Sequence, residues 1–120
     1  MSERPVPVGM LQFSADLGAA LLVYRGLGFR LVVRDADSLV MAGDSGYVWV
    51  LAAAPEDGIG PALPVFLLRN VEAAVDGFES QGGRTVGTVQ VGGAALRIVQ
   101  DPEGHRLAVS ASLPLPIERA

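Results

Sequence analysis

The chain has one histidine, His105, and no cysteine, which excludes disulfides and thiolate chemistry and leaves imidazole chemistry to one side chain. A metal site on His105 would need a second imidazole or a carboxylate at strand spacing, and a general base would need a nucleophile within reach. The sequence around His105 offers neither, so it reads as an exposed turn residue. Gly43-Asp44-Ser45-Gly46 looks like a protease nucleophile segment, yet such a serine needs a His and an Asp oriented behind it in a larger scaffold. It reads as a hairpin turn. Gly92-Gly93 has no P-loop spacing and no following Lys, so it too is turn chemistry.

The polar residues on strands leave alternatives open. If Leu11 and Phe13 face the first helix, Gln12 faces the opposite, concave side, where its amide can bond a ligand. Otherwise it bonds a side chain or water. Tyr47 and Trp49 share one strand face and either stack on a flat aromatic ligand or a dimer seam, or pack beneath the first helix. Alternation counted from Val50 favours packing, and a shift of one residue reverses it. Arg97 and Arg106 either anchor an anionic or carbonyl group or are solvated. Capping explains Asp16 and Asn70, which receive no chemistry.

The elements that must position these residues repeat. Asp16-Leu17 opens an apolar helical run that closes at Gly28, and Asn70-Val71 opens another that closes at Gly82, at the same offset. Val8–Phe13 reads as a strand, Leu17–Arg25 as a helix, and Phe29–Arg34, Ser38–Ala42 and Tyr47–Ala53 as three strands. Pro55–Pro61 reads as a linker. The pattern then restarts with a strand at Ala62–Leu68 and a helix carrying Val71, Ala74, Val75 and Phe78 on one face. Thr85–Val91 and Ala94–Gln100 form a hairpin about Gly92-Gly93, Asp101–Gly104 a type I turn, and Arg106–Ser110 the last strand. Leu113-Pro114-Leu115-Pro116 cannot continue a ladder and lies over the surface or a partner. A repeat at this length means paired half-units with a pocket between them rather than a solenoid.

At 120 residues the chain makes one domain, half hydrophobic and only 18% charged. That is more apolar surface than a small domain hides, which favours a dimer interface, a greasy cavity or both. The net charge is −4, and the nine basic residues are all Arg, scattered without a stripe, so no nucleic-acid partner is expected. No apolar run reaches spanning length, and Met1–Pro5 lacks the order of a secretion signal, so the expected location is cytoplasmic without membrane contact. The Ala, Gly, Val and Arg bias suggests a bacterial origin.

Asp16-Leu17, Tyr24 and Gly26-Leu27-Gly28-Phe29 together resemble the Asp-Leu…Phe-Tyr…Leu-Gly-Phe signature of the vicinal oxygen chelate superfamily. Asp101-Pro102-Glu103-Gly104-His105-Arg106-Leu107 resembles its closing Asp-Pro-Asp-Gly-Asn-Arg-Leu turn. That superfamily holds glyoxalase I, extradiol dioxygenases, fosfomycin-modifying enzymes and bleomycin-resistance proteins. The resemblance covers residues 8–110. It implies an α+β fold of two tandem βαβββ modules whose curved mixed sheets enclose a cleft. Module one would span about 8–54, the linker about 55–61, module two about 62–112, and the tail 113–120.

Enzymes of the family hold a divalent metal through His, Glu or Gln on the first and last strand of each module. Carried onto this chain, those positions fall near Val8 or Gly9, near Val50, near Leu63 and at Ala108. None offers an oxygen or imidazole ligand. No catalytic residue, metal or cofactor is therefore expected. The resemblance points to the bleomycin-resistance-like branch: a protein that sequesters a hydrophobic or aromatic small molecule, such as an antibiotic, without altering it, and so confers resistance. The expected lining is Met10, Gln12, Val50, Leu63, Val65 and Ala108, with Tyr47 and Trp49 as stacking partners. The expected assembly is a homodimer with each pocket between modules of different subunits. The alternatives are a metal-independent lyase, cyclase or isomerase of secondary metabolism, and a structural or regulatory dimer whose pocket is filled by its own side chains.

Overall fold

Short-range chemistry starts and stops both helices in the same way. A computed structural model describes residues 5–44, 46–53, 62–91 and 94–112. The expected linker at 55–61, the tail at 113–120 and the Gly92-Gly93 turn lie outside the described residues, as does Ser45. Helix α1 (Leu17–Gly26) begins where the Asp16 carboxylate accepts from the Ala19 amide at 3.0 Å. Helix α2 (Val71–Ser80) begins where the Asn70 side-chain oxygen accepts from the Ala73 amide at 3.1 Å. Each cap satisfies an amide that the first helical turn leaves free.

The exits match bond for bond. The amides of Leu27 and Gln81 donate to the carbonyls of Tyr24 and Phe78, and those of Gly28 and Gly82 donate to Arg25 and Glu79. Gly28 and Gly82 have φ of 104° and 103°, in the left-handed region that a residue with a Cβ avoids. The amides of Phe29 and Gly83 then return to the same Tyr24 and Phe78 carbonyls. In the first module the Phe29 ring meets Tyr24 edge-on at 5.6 Å. In the second the Phe78 ring takes that room itself: a Cβ on Gly83 would lie 2.2 Å from its Cε2.

The strands are β1 (Val6–Ser14), β2 (Arg30–Arg34), β3 (Ser38–Ala42), β4 (Tyr47–Ala52), β5 (Leu63–Leu67), β6 (Arg84–Val91), β7 (Ala94–Gln100) and β8 (Arg106–Ser110). The order βαβββ thus runs twice. All eight join one mixed sheet in the order β2-β3-β4-β1-β5-β8-β7-β6. The β1–β4 and β5–β8 pairs are parallel, and the antiparallel β1–β5 pair joins the modules at the centre. Both modules of one chain therefore share a sheet. Bulges at Leu31/Val33 in β2 and Thr85/Gly87 in β6 recur at equivalent positions and increase the local twist. The sheet curls until β6 lies against β3 and β4.

Both helices cover the convex side. Under α1, Leu21 packs on Leu39, Met41, Val48 and Val50. Under α2, Val75 packs on Leu68, Val99 and Val109. The third and largest cluster fills the concave side and draws on every strand. The excess apolar surface expected from composition is visible on α1, where Leu22, Val23 and Leu27 are exposed. No helix among the described residues is long and apolar enough to cross a membrane.

Candidate functional site

On β4 the side chains alternate, Val48 and Val50 towards α1 and Trp49 towards the concave cluster, with Tyr47 and Leu51 packed against that cluster. Paired β1 follows: Leu11 and Phe13 turn inward, while Met10 packs in the cluster under α1. Gln12, two residues along the strand from Met10, shares the Met10 face. Three of the expected lining positions are thus on the other side of the sheet: Met10 and Val50 are core beneath α1, and Gln12 does not face the concave cluster. Tyr47 and Trp49, expected as stacking partners although alternation favoured packing beneath the helix, face the concave cluster. Their ring centroids lie 5.5 Å apart at a 44° tilt.

From the second module, Leu63, Val65 and Ala108 all belong to the concave cluster, where Ala108 pairs with Val65 across the β5–β8 ladder. Residues the sequence reading did not single out complete this face: Val40 from β3, Val91 from β6, and Leu96 and Ile98 from β7. The signal for β7 was present. Arg97 stands between Leu96 and Ile98, and a charge on a strand marks the face turned away from the core. Arg97 indeed reaches out to α2, where its guanidinium pairs with the Glu72 carboxylate. Arg106 donates through Nε to Gln100 Oε1 at 2.7 Å and is exposed. Both arginines thus lie outside the concave cluster.

The four positions at which the resemblance implies metal ligands do not fit a divalent ion. Val8, Leu63 and Ala108 contribute hydrocarbon to the concave cluster, Gly9 contributes only backbone, and Val50 lies beneath α1. Hard and borderline cations need oxygen or imidazole donors.

His105 does have carboxylate neighbours, contrary to the sequence reading, but they come from its own turn. Its Nδ1 lies 3.0 Å from Asp101 Oδ2 and 3.8 Å from Glu103 Oε1. Asp101 Oδ1 also accepts from the Glu103 and His105 amides, each at 2.9 Å, which makes Asp101 the staple of the β7–β8 turn. Partial loss of water pushes its carboxyl up, but those amides and the His105 ring outweigh that and hold it below its usual value. A depressed carboxyl stabilises the turn above its unfolded pKa and ceases to do so as pH falls through the folded one. The protection factors of the Glu103 and His105 amides, each taken against the intrinsic exchange rate at the same pH, should therefore be highest at neutral pH and fall in acid. Asp101→Ala should leave both amides with little protection throughout, and an unchanged variant would refute the staple.

A family model described as Glyoxalase/Bleomycin resistance protein/Dioxygenase superfamily matches residues 8–109. The chain belongs to this superfamily. Among solved structures, a hypothetical protein from Bacillus halodurans C-125 is similar with a TM-score of 0.73 at 11% identity, covering 98% of this chain and 100% of that one. A superfamily member from Vibrio splendidus 12B01 gives a TM-score of 0.59 at 12% identity, over 91% of this chain and 98% of that one. The bleomycin resistance determinant encoded on the transposon Tn5 is 19% identical over 86% of this chain and 94% of that one, with a TM-score of 0.40. No curated protein matches the chain. At these identities the structural likeness speaks for the fold alone, an α+β curled half-barrel of eight strands with two helices, and the function has to be argued from the residues of this member.

Proposed function

We propose that this superfamily member captures a hydrophobic or aromatic small molecule, such as an antibiotic, against the concave face of its sheet and releases it unaltered. The observation that supports this reading is the composition of that face. The buried cluster there is hydrocarbon apart from Trp49, with Tyr47 packed beside it. Such a surface holds a guest through shape, burial and stacking, and its buried cluster presents no carboxylate or imidazole for proton transfer. The family's description names bleomycin resistance proteins beside glyoxalases and dioxygenases, and capture without turnover suits a member whose implied metal positions carry hydrocarbon.

Entry follows from topology. Strand β6 is hydrogen-bonded only to β7 and lies against β3 and β4 without a ladder between them. Parting that contact breaks side-chain packing but no sheet hydrogen bonds. A guest would separate Val89 and Val91 from the first module and take their place against Trp49.

The chain has one Trp, so its fluorescence reports on this face alone. Titration with a panel of aromatic antibiotics should change the emission with one guest per chain, and chromatography should recover the guest intact. Chelator should alter neither affinity nor melting temperature. No response across the panel would overturn capture, and a chemically changed guest would replace it with the enzymatic alternative.

A further inference from the structure

One polar atom in the concave cluster has no role in the fold. Trp49 is fully buried at the middle of β4, level with Leu11 on β1 and Val40 on β3. Its indole nitrogen, Nε1, is buried without a hydrogen-bond partner, alone in this among the side-chain polar atoms of the described residues. An indole N–H can only donate, so no rotation or change of tautomer relieves it. A donor stripped of water and left unpaired opposes folding, and buried polar groups are paired in the great majority of proteins. Phenylalanine would fill much of the same space, keep an aromatic ring beside Tyr47 and avoid the penalty.

We propose that the donor is satisfied by the guest: the captured molecule is a flat aromatic compound carrying a carbonyl-type oxygen, which accepts from Trp49 Nε1–H. This rests on the reading that the concave face binds a small molecule, and it adds the chemical class. The stacking surface selects the flat ring system, and the indole N–H selects among such systems by requiring an acceptor at one edge. A guest of the same outline without that oxygen would leave the donor unpaired and would bind more weakly.

Two water-soluble probes isolate this contact. Anthraquinone-2-sulfonate and anthracene-2-sulfonate share a three-ring outline and a sulfonate, and they differ in the quinone oxygens. The protein carries a single indole N–H, so a ¹⁵N-labelled sample gives one indole resonance. The quinone should move it downfield as the hydrogen bond forms, and the anthracene should not. By calorimetry the quinone should bind about tenfold more tightly than the anthracene, the effect of one well-formed hydrogen bond to a buried donor. Trp49→Phe should bring the two affinities within about twofold of one another, and its melting temperature without probe should be no lower than that of the parent.

Equal binding of both probes with no downfield shift would overturn the acceptor assignment and leave capture standing. Failure of both probes to bind, where the antibiotic panel had succeeded, would overturn the assignment of a flat carbonyl-bearing guest. Failure of the panel as well would remove capture with it. If Trp49→Phe does not fold, the two probes on the unaltered chain still decide the matter through the resonance and the affinity ratio.

Discussion

Gly9→Ala is expected to unfold or severely destabilise the protein, although it adds one methyl group to a central strand. Gly9 sits on β1 beside a bulge, with φ at 153°, between Tyr47 on β4 and Val65 on β5. A Cβ there would lie 1.9 Å from the Tyr47 carbonyl oxygen and 2.8 Å from its carbonyl carbon and amide nitrogen. These are backbone atoms held in a ladder, so no side chain can swing aside. Relief requires β1 and β4 to separate at the seam that positions Tyr47 and Trp49. A cost of about 3 kcal/mol or more is expected, since strain at a special backbone position is among the few causes of losses that large. For a domain of this size that is roughly 10 °C or more in melting temperature. Gly87→Ala is the matching control: its Cβ would meet nothing within 4 Å. Where the backbone accepts alanine, the change is neutral or stabilises by about 0.4–1 kcal/mol. Equal melting temperatures for the two variants would show that the close approach at Gly9 does not constrain the sheet.

The contrast shows which features of this fold could be read from sequence. Caps and exits depend on residues three to five apart, so Asp16, Asn70, Gly28 and Gly82 announced both helices and their repeat. The element order followed, because each strand is bounded by its own turn signals. The facing of β1 and β4 was not legible, for a physical reason. Both strands lie near the middle of the sheet, with α1 on one side and the concave cluster on the other. Val48, Trp49 and Val50 are buried in succession, as is all of β3. Where both faces are apolar, alternation carries no sign, and a choice based on Val50 alone puts every residue on the wrong side. The second module carries clearer signs: β6 alternates exposed and half-buried residues and ends on buried Val91, and Arg97 marks the outer face of β7. Of the expected lining, Leu63, Val65 and Ala108 lie in the concave cluster, whereas Met10 and Val50 lie beneath α1 and Gln12 shares the Met10 face. The Gly9 constraint was invisible because it arises from contact with a strand nearly forty residues away.

Ala108→Asp puts the reading of the concave face to a thermodynamic test. Ala108 is fully buried on β8, between Val65 on β5 and Ile98 on β7. It is also a position at which the superfamily resemblance implies a metal ligand. If that position is now plain core, an aspartate there meets only hydrocarbon, and burial opposes its charged form. The folded pKa of the new carboxyl then lies above its unfolded value of about 3.9. The sign follows: with a raised folded pKa the variant is most stable below the unfolded value and loses stability as pH rises through the folded one. At neutral pH a loss of about 3 kcal/mol or more is expected, from the unpaired charge and the added volume together. The melting temperature of the variant, relative to the parent at each pH, should therefore climb on acidification. The uncharged Ala108→Asn carries nearly the same volume and should show a loss that does not vary with pH. The opposite pattern would be decisive. An Ala108→Asp protein as stable as its parent at pH 7, and stabilised further by added zinc, would mean that oxygen or nitrogen donors already surround this position. The concave face would then be a metal site lacking one ligand, and capture by shape and stacking alone would no longer describe it.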